Sequence, residues 1–81
     1  MARTRRDGEL RAAIGLRLRE WRLRERRSQR EIASAAGITQ ATLSNYERGR
    51  RDLSLVTVMR LAVALGTSLT VLIQGLENMP A

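Results

Sequence analysis

Apolar residues recur along this chain at steps of three and four, with polar and charged residues between them. Leu10, Ile14, Leu18 and Trp21 step by four, four and three, giving one apolar stripe with arginines around it. That is the period of a helix with one buried face, and it predicts a helix from Asp7 or Gly8 to about Arg24 or Glu25. Ser28-Gln29-Arg30-Glu31 then has the form of a capping box. In it the serine hydroxyl accepts from the glutamate amide, and the glutamate side chain reaches back. A short second helix follows over roughly 29–36 with Ile32, Ala33 and Ala36 inward, and Gly37 ends it as a left-handed cap. Thr39 is the next N-cap, for a third helix that runs through Arg48 to Gly49 with Leu43 and Tyr46 inward.

Arg50-Arg51-Asp52-Leu53 reads as a loop, and Ser54 caps a fourth helix. Leu55, Val58, Met59, Ala62 and Leu65 repeat at three and four on its inner face, and Gly66 stops it. The stretch Ser68 to Gln74 is ambiguous. Ser68 as a cap with Leu69, Leu72 and Ile73 as contacts suits a short helix, whereas β-branched Thr70, Val71 and Ile73 suit a strand on propensity. Helix is the favoured reading. The expected fold is all-α, a compact bundle of four to five short helices without repeats or linker. Its expected organisation is a flexible basic arm over 1–8, a domain over 9–76 whose segment of about 61–76 dimerises, and a short tail over 77–81.

Composition narrows the chemistry. Eighty-one residues make one small domain with a marginal core of its own. There is no cysteine and no histidine, which removes disulfides, thiol chemistry and ordinary zinc sites and leaves self-association as the stabilising supplement. No catalytic constellation, cofactor site or metal site is visible, so an enzyme is not expected. All 15 basic residues are arginine, against 8 acids, for a net charge of +7. Eleven arginines fall within residues 1–30, four between Arg48 and Arg60, and none in 61–81. One end is built for a polyanion and the other for an apolar partner. Trp21 and Tyr46 fall at core-like positions, too few for a single-strand stacking platform. An amphipathic Arg11–Arg27 helix on a membrane surface is the competing class. No apolar run approaches the ~18 residues of a membrane span, and the start lacks a signal peptide's apolar stretch, so the expected location is cytoplasmic.

The block from Gln29 to Arg48 carries the most information. Two short helices joined around a glycine make a helix-turn-helix. The close crossing needs a small residue, supplied by Ala33, and the turn needs the positive φ that Gly37 adopts. Ile32, Ala36, Ile38, Leu43 and Tyr46 fill the angle between the helices. With Ile14-Gly15, Leu18 through Arg22, Tyr46-Glu47-Arg48-Gly49, Leu61 through Gly66 and Ser68-Leu69, the chain resembles the Cro/C1-type helix-turn-helix family over about residues 14–76. That family contains phage repressors, bacterial regulators, restriction-modification controller proteins and antitoxins. It often has glycine and a large apolar residue where this chain has Arg26-Arg27, and proline where this chain has Leu53.

The resemblance implies that the third helix enters the major groove of double-stranded DNA, with Thr39, Gln40, Ala41, Ser44 and Asn45 meeting base edges. The side chains suit that role, since amides bond adenine bidentately and a methyl meets thymine. The expected phosphate contacts are Arg22, Gln29, Arg48, Arg50 and Arg51. Family likeness pairs Arg22 with Glu47, in preference to an i,i+4 pair of Glu47 with Arg51. Arg11, Arg17, Arg19, Arg24 and Arg26 are expected to form a solvated face. Arg3, Arg5 and Arg6 belong to the arm, for which a frayed terminus is favoured over minor-groove contact. Val63, Val71, Ile73 and Leu76, with Met79, exceed what the core needs and are expected to dimerise. The expected protein is a homodimeric repressor reading a roughly palindromic operator. The alternative is an antitoxin-type or controller-type regulator with a further protein partner, a toxin or RNA polymerase.

Overall fold

The computed structural model describes residues 5–78, apart from the side chain of Glu77. Arg3 and Met79 therefore lie outside the described residues. The helices are α1 (Arg5–Arg24), α2 (Gln29–Ala36), α3 (Gln40–Glu47), α4 (Leu55–Ala64) and α5 (Leu69–Leu72), followed by a 3-10 turn over Leu76–Asn78. Among the described residues there is no strand, so the ambiguous segment is helical. Its Ser68 cap and the burial of Leu72 prevail over the β-branched propensity of Thr70 and Val71.

Local side chains define the ends of these helices. The hydroxyl oxygens of Ser28, Thr39, Ser54 and Ser68 accept from the amides of Glu31, Thr42, Thr57 and Val71 at 3.0–3.2 Å. Each such cap is worth ~1 kcal/mol, which is a sizeable share of the stability of so small a domain. At α2 the box is closed, because the Ser28 amide also donates to Glu31 Oε1 at 3.0 Å. That backbone hydrogen bond is the main reason the Glu31 carboxyl lies below its ordinary value. Gly37 (φ 73°) ends α2 in the left-handed region, and the Ile38 amide returns to the Ala33 carbonyl at 2.9 Å.

Three expectations change. First, α1 opens at Arg5, so residues 5–8 belong to the helix and not to an arm. Asp7 in the first turn faces the positive helix end, and Arg5 pairs with Glu9 one turn on at 3.5 Å. Second, α4 buries Val58, Leu61, Ala62 and Leu65, whereas Leu55 and Met59 are 64% and 50% exposed. The face that meets α2 is centred on Leu61, and Leu55 and Met59 fall to one side of it. Third, Leu76 is buried at 8% exposure, so it belongs to the protomer's own core and is not free to dimerise. The neutral end folds back onto α1, which takes up apolar surface that sequence counting leaves spare.

The core centres on Leu18, Ile32, Leu43, Leu61, Leu65 and Leu72, with Ile14 and Trp21 packed against it from α1. The tightest approach lies between α1 and α3. Gly15 is buried mid-helix, and a β-carbon there would overlap the Tyr46 carbonyl oxygen and come within 2.7 Å of the Glu47 one. Gly49, just after α3, also packs on Ala12, where a β-carbon would come within 2.8 Å of the Ala12 α-carbon, and its φ of 69° favours glycine. Two glycines thus let α1 lie directly on the end of α3.

Arg26 stands where the resembled family often has glycine, and its φ of 56° lies in the left-handed region that favours glycine. The Arg27 amide donates to the Arg22 carbonyl at 3.1 Å, closing α1 as a glycine cap would. The connection keeps its geometry at the cost of a β-carbon in the left-handed region, ~1 kcal/mol or slightly more.

Two glycines of α1 should respond to the same substitution with opposite signs. Gly15→Ala is expected to destabilise by ~1–3 kcal/mol because two fixed carbonyls stand in the way. Gly8→Ala, whose new methyl meets only the flexible end of Arg11 at 3.6 Å, should stabilise by ~0.5–1 kcal/mol. Urea melts of both variants test this. Arg26→Gly should stabilise by ~1 kcal/mol, a rise of ~4–8 °C in melting temperature for a domain of this size. An unchanged or lower melting temperature would mean that the positive φ carries no strain.

Candidate nucleic-acid interface

The two helices of the motif are joined to α1 by one ionic cluster. Arg22 Nε donates to Glu47 Oε2 at 2.7 Å and Arg22 Nη2 to Oε1 at 3.0 Å, a bidentate pair. Gln29 Nε2 donates to the same Oε1 at 3.1 Å, and Arg22 Nη1 donates to the Arg27 carbonyl at 3.0 Å. The Glu47 side chain is only 4% exposed and that of Arg22 11%. A buried carboxylate is costly to leave without partners, and here both oxygens accept hydrogen bonds. The hydrogen bonds that Arg22 donates to Glu47 raise its pKa above the ordinary value, against the opposing effect of burial. Glu47 therefore pairs with Arg22 and not with Arg51, which is exposed. The last turn of α1, the first residue of α2 and the last of α3 meet on one carboxylate.

This cluster fixes the orientation of α3. Leu43 and Tyr46 anchor its inner face. On the outer face Thr39, Gln40 and Ala41 are exposed, and Ser44 and Asn45 half-buried. The Thr39 hydroxyl is committed locally, since it accepts from the Thr42 amide and donates to Thr42 Oγ1 at 2.8 Å. Gln40, Ser44 and Asn45 make no side-chain hydrogen bond to another described residue. Ala41, Ser44 and Arg48 follow at three and four along one side of the helix. Arg48 caps α3, and Arg50 and Arg51 follow it, all exposed and without an ion pair among the described residues. Arg22 and Gln29, by contrast, give donors to Glu47, so their first task is to hold the helices together.

Several first-helix arginines are not merely solvated. Arg11 pairs with Asp52 at 3.1 Å and ties the 50–53 loop to α1. Asp52 is the lone acid between Arg48 and Arg60, and that isolation among arginines is a clue the sequence offers. Arg17 donates to the carbonyls of Leu72 and Gln74 at 3.0 and 2.9 Å, serving the free end of α5. Backbone acceptors leave no trace in a sequence, so that contact was not readable. Arg24 lies over the Trp21 ring, 4.9 Å from its centroid. Arg19 is exposed, and it lines a small polar cavity with Arg22, Gln29, Glu47 and Arg48.

Of the residues expected to dimerise, Val63 is 78% and Val71 44% exposed, and Ile73 is partly buried against the core. The exposed strip continues along α4 through Leu55, Val56 and Met59. Among the described residues no group of acidic side chains could hold a metal ion, and no helix is long and apolar enough to cross a membrane.

Comparison with known proteins agrees with this geometry. A helix-turn-helix family profile matches residues 18–72. The HTH-type transcriptional regulator y4dJ of Sinorhizobium fredii is 32% identical over 72 residues, covering 89% of this chain and 94% of that protein. Among solved structures, the restriction-modification controller protein C.AhdI of Aeromonas hydrophila superposes with a TM-score of 0.75 at 36% identity, covering 79% of this chain and 96% of that one. The clp gene regulator ClgR of Corynebacterium glutamicum gives 0.80 at 32% identity, covering 89% and 94%. The fold, the extent of the match and the likeness to these regulators lead to one conclusion: the chain belongs to the helix-turn-helix family of DNA-binding transcriptional regulators.

Proposed function

We propose that this chain is a homodimeric repressor that reads a roughly palindromic duplex operator by placing α3 in the major groove. The observation that carries the reading is the outer face of α3. Among the described residues the side chains of Gln40, Ser44 and Asn45 have no hydrogen-bond partner, and Arg48, Arg50 and Arg51, at the end of the same helix, make no ion pair. Amides of this kind bond adenine N6 and N7 bidentately, the Ala41 methyl suits thymine, and Thr39 sits at the helix start where a base edge is reached. The unpaired arginines meet phosphates on either side of the groove and supply affinity independent of sequence. Arg22 and Gln29 reach phosphate only with the donors left over from Glu47. Repression is the default because covering a promoter needs no further surface.

Two considerations support dimerisation. A single α3 offers too few base contacts for useful specificity, and two of them about one DNA turn apart, ~34 Å, double the count. Val63 and Val71, with the edge of Ile73, supply exposed apolar surface on the arginine-free segment 61–81. A controller-type role with a further protein partner is the second reading. It is favoured by the likeness to C.AhdI, a restriction-modification controller protein.

Gln40→Ala and Asn45→Ala are each expected to weaken specific binding by ~1–3 kcal/mol per half-site contact and relax base preference locally, with little change in melting temperature. Selection of bound duplexes from a random pool measures both effects. Unchanged operator choice and affinity in both variants would place base reading elsewhere. Val71→Glu should give helical monomers at tens-of-micromolar concentration in sedimentation equilibrium, with far weaker operator binding. A wild type that is monomeric both free and on DNA would contradict the dimeric reading.

A further inference from the structure

We infer that Arg19 is a DNA-phosphate ligand, and that with Arg48 it forms a single seat for one phosphate at the end of the reading helix. The inference rests on the proposed DNA-binding reading and adds to it a residue that the periodicity of α1 assigns to plain solvated surface. A cavity of about 220 Å³ is lined by Arg19, Arg22, Gln29, Glu47 and Arg48. Three guanidinium groups and one carboxylate leave the lining at net +2, an imbalance that suits a singly charged phosphodiester.

The cluster divides the work. Glu47 takes the Nε and one Nη of Arg22 and the amide of Gln29, all at 2.7–3.1 Å, and is itself 4% exposed. Its charge is therefore spent inward, and the Arg22–Glu47–Gln29 group acts as a rigid floor. Arg19 and Arg48 border that floor from α1 and from the cap of α3. Neither makes an ion pair among the described residues. The nearby arginines of α1 are committed otherwise: Arg11 to Asp52, Arg17 to the carbonyls of Leu72 and Gln74, Arg24 to the Trp21 ring. Arg19 alone among these four is exposed, uncommitted and beside Arg48. Because Arg48 continues the side of α3 that carries Ala41 and Ser44, a phosphate in this seat would flank the bases that α3 meets. A planar guanidinium on each side allows bidentate contact, and the pair would fix how far α3 slides along the groove.

The test is a set of equilibrium titrations against a mixed-sequence DNA duplex at three salt concentrations, using wild type, Arg19→Gln, Arg19→Lys and Arg60→Gln. Arg60 is an exposed arginine lining a different, apolar cavity beside α2 and α4, so it controls for loss of bulk charge. Thermal melts establish that each variant is folded. The expected result is weaker binding by Arg19→Gln and a log–log salt slope shallower by ~0.9 per bound subunit. Arg19→Lys should restore the slope, and Arg60→Gln should match wild type. If Arg19→Gln keeps the wild-type slope and affinity while wild type binds, the seat is wrong and the DNA-binding reading stands. An equal loss in Arg60→Gln would also overturn the seat, by reducing it to bulk charge. A wild type that binds no duplex at any salt concentration overturns both together.

Discussion

A β-carbon at position 15 would occupy space held by the Tyr46 and Glu47 carbonyls, so α1 and α3 cross at backbone contact. Most of what α3 presents to solvent follows from that crossing. It brings the last turn of α1 near enough for Arg22 to grip Glu47 with two nitrogens, and Gln29 then joins α2 to the same carboxylate. Breaking a buried pair of this kind by removing one partner costs ~3–5 kcal/mol, a large part of what a domain of this size has. The glycine contact and the ion pair sit a turn or two apart and act in one sense. Leu43 and Tyr46 fix which side of α3 faces inward, and the crossing fixes how far its end can move.

Charge is organised by commitment more than by number. Arginines are densest in the first thirty residues, yet many of those in the described part have internal work. Arg5 pairs along α1, Arg27 pairs from the connection onto Glu31 of α2, Arg11 and Arg22 pair across the fold, and Arg17 binds carbonyls at the end of α5. A count of charges alone would place the polyanion-binding surface on α1. Subtracting the committed groups moves it to the end of α3, where Arg48, Arg50 and Arg51 make no ion pair among the described residues. The chain belongs to a DNA-binding family, and this residual charge lies where the proposed contact with DNA is placed.

Much of the fold was legible because its grammar is local. Ser28, Thr39 and Ser54 announce helix starts that the structure reproduces at the residue, and Gly37 marks the turn. The outer side of α3 was equally readable once Leu43 and Tyr46 defined the inner one. What escaped depends on tertiary contact. Gly15 reads as a weak spot in a helix until α3 is laid against it, and Arg17 reads as solvated because its partners are carbonyls. Leu55 and Met59 obey the same period as Val58, Ala62 and Leu65, and only the position of α2 decides that the buried face is centred on Leu61. Arg26 shows the converse, a geometry preserved although the residue that normally provides it is absent.

In the proposed function the crossing at Gly15 and the Arg22–Glu47 pair hold α3 so that one surface, from Thr39 to Arg51, meets DNA. Backbone amide chemical shifts of the labelled protein, followed as a duplex carrying a selected site is added, address it directly. The account predicts that the largest shifts cluster at residues 39–45 and 48–51 and around Arg19, with the outer strip Val56–Met59–Val63 of α4 unmoved by DNA at fixed oligomeric state. Shifts concentrated on α4 or the outer face of α5, with α3 unaffected, would contradict it.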